Sequence, residues 1–218
     1  MLRLLFIVAL GVLIPFSVFA AEPKLEAIGA YTDSSASDAL KKALEPKGYR
    51  VTLPDGNVLC EIWLRSAVTQ GKNEAQGTGY PWLPESTLVA VIRFPKDAID
   101  FRKQGIKAGS YTLRSELNPV DGNHLGISQI RDFLLLVPIG VDAEPDAKYS
   151  LEELTALSRK TTGSNHPSPM SLVSLDGINN WPSVFEDENR HVVFAAKVKT
   201  GGNGESGIAL VIRGVAEQ

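Results

Sequence analysis

Three histidines and one cysteine are the only imidazole and thiol groups in the chain. His124 lies in the run Asp121-Gly122-Asn123-His124 and His166 in Ser164-Asn165-His166-Pro167, while Arg131-Asp132 opens an apolar stretch. Each sets short polar side chains in a turn beside an apolar strand or a helix end. If these loops meet at one end of the fold, His124 and His166 with Asp121 or Asp132 form a two-histidine, one-carboxylate site suited to Zn or a similar ion. The structural reading of the same residues is favoured: Asp-Gly-Asn is ordinary turn composition, and a His-Pro step fixes the chain after a helix. The polar candidates for ligand binding are Asp121, Asn123, His124, Arg131, Asp132, Asn165 and His166. Arg131-Asp132 also reads as an ion pair pinning a strand start, and His191 as a solvated strand end. Neither His-Glu-x-x-His nor Gly-x-Ser-x-Gly occurs, so no catalytic residue is assigned.

Aromatic residues suggest recognition instead. Tyr80 and Trp82 stand in a polar, glycine-bearing stretch, and Trp181 with Phe185 in a later one. Loops on a rigid scaffold carry binding residues, and an exposed Trp or Tyr suits stacking on a sugar or anchoring a partner. The competing reading tucks these rings down as lids over the core, since they gain most by burial.

The N-terminus bounds where such chemistry would take place. Met1-Leu2-Arg3 precedes an apolar run to Val18, and Val18 and Ala20 are small enough for signal peptidase, so residues 1–20 read as a signal peptide. The mature chain from Ala21 is expected to be periplasmic or secreted, with no membrane span after cleavage. The balance of 22 basic against 25 acidic residues, with Arg3 inside the leader, argues against nucleic acid as a partner. Cys60, the lone cysteine, excludes an internal disulfide. It reads as a buried, inert thiol on one face of the strand 58–65.

The elements that must position these groups are mostly strands. Leu25–Thr32, Tyr49–Leu53, Val58–Arg65, Thr87–Phe94, Ile106–Leu117, Arg131–Pro138, Met170–Leu175, His191–Lys199 and Gly207–Gly214 carry apolar or alternating patterns. Pro54-Asp55-Gly56-Asn57 joins two of them as a hairpin. Two short helices are expected, one over 39–44 and one from a capping box at Ser150 through Arg159. Residues 178–189 read as loop. The pattern predicts a mostly β chain: an antiparallel β-sandwich with two short helical insertions, residues 21–218 forming a single domain, with an open barrel as the other arrangement.

Ala108-Gly109-Ser110-Tyr111-Thr112-Leu113 resembles the turn-plus-strand of exported bacterial β-sandwich modules of the carboxypeptidase-regulatory and transthyretin-like type, with Lys107 in place of the usual proline and Ser110 in place of threonine. The resemblance implies architecture and no chemistry. The resulting expectation is an exported, non-catalytic binding or interaction module without a cofactor, its ligand an envelope protein or polysaccharide. The alternative is a metal-dependent hydrolase, with Zn on His124, His166 and Asp121. A structural role in the envelope is third.

Overall fold

The computed structural model describes residues 22–72, 75–120, 130–201 and 204–216. Strand makes up 41% of the chain and helix 12%, so the mostly β, antiparallel expectation with two helices holds. Seven strands form the larger sheet in the order β1 (Lys24–Ile28), β2 (Gly48–Thr52), β3 (Val58–Leu64), β4 (Leu88–Phe94), β7 (Gly109–Leu117), β8 (Asp132–Pro138) and β9 (Pro169–Ser171). A minor hairpin, β5 (Ala98–Ile99) with β6 (Gly105–Ile106), interrupts the path between β4 and β7. A second sheet has the order β10 (Ser183–Glu186), β11 (Val192–Thr200) and β12 (Gly204–Arg213). Among the described residues all pairings between these strands are antiparallel.

Period-two alternation explains how the sheets share a core. Val51, Cys60, Ile62, Ile92, Leu113 and Leu134 from the large sheet meet Phe194, Ala196, Val198, Ile208 and Leu210 from the small one in one buried cluster. The apolar run of β4 occupies the centre of the seven strands, as a strand covered on both faces requires. Its other face is covered by α1 (Asp38–Ala43), whose Leu40 is fully buried against Trp63, Leu88 and Val91. Ser37 caps α1 by accepting from the Leu40 amide at 3.0 Å. The second helix, α2 (Leu151–Thr162), lays Leu154 on Phe133, Leu135 and Val137 of β8. Its capping box at Ser150 and Glu153 is formed, and Gly163 ends it at φ 67°.

Two differences from the sequence reading matter. Residues 183–186 are a strand rather than loop, pairing Val184 with Phe194 and Phe185 with Val193. In β7 the residues alternating with Tyr111 and Leu113 are buried as well, Arg114 and Glu116 included. The hairpin over 48–64 and the edge position of β9 are as expected. Among the described residues no helix is long and apolar enough to cross a membrane.

Candidate functional site

The second face of the small sheet carries Val193, Ala195, Ala209 and Val211, and the segment leaving β9 folds over it. Val173, Leu175, Ile178, Trp181 and Phe185 pack on that face. Gly207 makes room for the indole: a Cβ there would lie 2.8 Å from Cη2 of Trp181. Because the covering segment is a chain of turns, it leaves a cleft of about 1020 Å³ between itself, β10 and the turn 187–190. That is the size of a site for a small ligand or a short segment of chain.

The lip on one side is built by short polar side chains bonding to nearby backbone. The Asp176 amide donates to Ser174 Oγ at 3.2 Å, the Ser174 hydroxyl donates to Asp176 Oδ2 at 2.9 Å, and Gly177 sits at φ 78°. Asn179 donates to the Gly177 carbonyl at 3.1 Å. On the other side Asp187 accepts from the amides of Asn189 (2.9 Å) and His191 (2.8 Å). Its second oxygen lies 3.1 Å from His191 Nδ1, and His191 Nε2 lies 3.2 Å from the Val215 carbonyl oxygen. The imidazole rests edge-on to Phe101 with centroids 5.6 Å apart, over a Gly214 that has no side chain to obstruct it. Asp187 and the Val215 carbonyl thus flank the two ring nitrogens, so His191 is held in place as part of the lip. It is also far from the bare strand end expected of it.

Apolar surface from Phe101, Val173, Ile178, Val184 and Phe185 meets Asp176, Asn179, Asn180, Glu188 and Glu22 around the cleft. Its carboxylates are Glu22, Asp176, Asp187 and Glu188, and among the described residues no Lys or Arg contributes. Arg190 and Lys103 line a separate pocket beyond His191, beside Gly214, Val215 and Ala216.

Tyr80 holds this assembly from below. It is wholly buried, its hydroxyl donating to the Val173 carbonyl (2.7 Å) and accepting from the Ala209 amide (3.1 Å). Burial pushes the phenol well above its ordinary range, so it stays a donor. With the Val173 amide bonding the Ala209 carbonyl at 3.1 Å, it splices the exit of β9 to β12. Tyr80 is therefore corrected from a surface binding aromatic to a seam residue. Trp82 is half-buried against the shared core, and Trp181 supports the cleft wall from behind.

The polar candidates do not assemble into one site. Asn165 and His166 are exposed on the turn after α2, where the Ser164 hydroxyl bonds the backbone of His166. The expected Arg131–Asp132 pair is not made. Arg131 donates to the carbonyls of Asn118 (2.8 Å) and Gln76 (2.9 Å), whereas Asp132 accepts from the Thr78 hydroxyl and the Gly79 amide, both at 2.7 Å. Adjacent residues at a strand start point to opposite sides, which separates the two groups. Both instead fasten the loop that delivers Tyr80. Asp121, Asn123 and His124 lie outside the described residues. Among the described residues no three His, Cys, Asp or Glu side chains group as metal ligands.

Sequence reasoning missed Asp176, Asn179, Asn180, Asp187 and Glu188. Their signal was the density of Asn, Asp and Gly between 176 and 189, flanking Ile178, Val184 and Phe185. It also missed the strongest polar cluster. Arg114, 1% exposed, makes a bidentate pair with Asp142, 0% exposed (2.7 and 2.9 Å), and its remaining donors meet the carbonyls of Ser86, Glu144 and Ala147. Thr112 and Tyr149 complete Asp142, and every donor of the guanidinium is used. This cluster is a structural rivet. Cys60 is buried as expected, and burial followed by the neighbouring Glu61 pushes its thiol upward, away from the reactive thiolate.

Comparison of the chain with models of known families, with curated proteins and with solved structures finds no match to any of them.

Proposed function

We propose that this protein is an exported, non-catalytic binding module whose ligand site is the cleft between the segment 173–180, β10 and the turn 187–190. The observation that carries the reading is the cleft itself: about 1020 Å³, lined by apolar side chains together with Asn amides and carboxylates. Its walls are braced by Tyr80, Trp181 and Asp187, so the site is held ready before a ligand arrives, which lowers the ordering cost of binding. The imidazole in its lining is held between Asp187 and the Val215 carbonyl as part of the wall, which supports a preformed recognition site. Acidic lining disfavours polyanions and leaves neutral or cationic ligands. The signal-like N-terminus and the short resemblance at 108–113 to exported sandwich modules support the compartment.

The test presents the mature protein to glycan and peptide arrays, beside Phe185→Ala and Asn180→Ala variants with unchanged circular dichroism. Signals that the wild type gives and the variants lose support the reading. A wild type silent on both arrays, or signals indifferent to both substitutions, overturn it.

A further inference from the structure

Three features coincide at the cleft. First, β10 ends its sheet: among the described residues its ladder partner is β11 alone, and β1 approaches it without pairing, so the other side of its backbone carries no ladder hydrogen bonds. A strand edge of this kind is a template for another extended chain. Second, three of its four residues, Ser183, Val184 and Phe185, line the cleft, so the strand forms part of its wall. Third, Glu22, Asp176 and Glu188 line the same space without a Lys or Arg among the lining residues. The base that reaches β10, Arg213, is turned to Glu186 at 3.9 Å.

We propose that the cleft receives an extended, positively charged peptide segment of a partner protein, added as a strand alongside β10. The inference rests on the binding reading above and names its ligand class. Main-chain hydrogen bonds to β10 supply register. Alternate side chains then point to the two faces of β10, one set beside Val184 and the other beside Phe185, with the carboxylates of Asp176 and Glu188 in the same lining. A neutral oligosaccharide held by Asn179 and Asn180 is the rival occupant that the experiment separates.

The probe is a six-residue peptide of alternating Lys and Val, fluorescently labelled and titrated with the mature protein. β10 spans roughly 13 Å, so a peptide of this length covers it with a residue to spare at each end. The expected result is saturable binding that weakens as salt rises, with about fivefold lower affinity in each of Glu188→Gln and Asp176→Asn. The alternating Glu and Val peptide should not bind, and N-methylation of every peptide bond in the Lys peptide should abolish binding. Equal binding of the two charge types, survival of binding after N-methylation, or no binding of the Lys peptide overturns the proposal. If the Lys peptide fails while an oligosaccharide signal is lost in Phe185→Ala, the binding reading survives and the peptide inference falls. If no probe of either class binds, both fall.

Discussion

Replacing Tyr80 by Phe removes one oxygen atom and tests the seam beneath the cleft. The ring stays, so packing against the shared core is preserved. Two hydrogen bonds are lost, the one to the Val173 carbonyl at 2.7 Å and the one from the Ala209 amide at 3.1 Å. The Ala209 amide belongs to a fully buried residue, so its donor is left without a partner. An orphaned buried group costs about 1–3 kcal/mol, and the mean of this range, about 2 kcal/mol, is expected here. For a chain of this size that lowers Tm by about 4–8 °C. Differential scanning calorimetry of the mature wild type and Tyr80→Phe measures it directly. Tyr80→Ala adds a cavity in the core and should cost about 3–5 kcal/mol. A Tyr80→Phe protein melting within about 1 °C of wild type would refute the argument that the hydroxyl joins the two sheets. Hydrogen exchange gives the second readout: the Ala209 and Val173 amides should exchange faster in the variant while those of β3 and β4 do not.

Two further predictions concern buried charge. Arg114→Met strands the Asp142 carboxylate in the interior and should cost about 3–5 kcal/mol by urea denaturation, whereas Arg114→Met with Asp142→Leu should cost less than the single change. A double variant no better than the single one would contradict the pairing. Glu116, 4% exposed, has its carboxyl pushed up to about 7, first by burial and then by Glu85. The native state therefore favours the protonated form, so this group's contribution is fully present below the ordinary glutamate range and is lost as pH rises through about 7. Glu116→Gln should remove that loss, on the order of 2 kcal/mol between pH 5 and 8. Parallel stability profiles for the two proteins would refute it.

Local signals were legible wherever a few neighbouring residues decide the outcome. Asp55-Gly56 makes its hairpin turn with Gly56 at φ 83°, Ser150 and Glu153 cap α2, and the apolar run of β4 lies at the sheet centre. The cleft was harder to read because its parts are defined by distant contacts. Ser183-Val184-Phe185-Glu186 is too short to show a strand period, and it is a strand because β11 pairs with it. Arg114 occupies a position that alternation assigns to the polar face, yet its partner stands 28 residues further on. Tyr80 resembles a loop aromatic free to recognise something, and only the convergence of Val173 and Ala209 on its hydroxyl reveals its role. Conversely, Arg131 and Asp132 look like a pair in one dimension and part in three.

The order of the seven-stranded sheet follows the chain, each strand lying beside the one before it, with α1, the β5–β6 hairpin, a short 3-10 turn over Ile139–Val141 and α2 inserted along the way. Such a meander can grow outward from the 48–64 hairpin by closing one modest loop at a time, so the entropy lost at each step is small. The three final strands form a sheet of their own and meet that edge through the Leu172–Leu210 bridge and the Val173–Ala209 hydrogen bond just beyond β9. This order predicts that the large sheet forms before the walls of the cleft, so changes confined to β10–β12 should speed unfolding more than they slow folding.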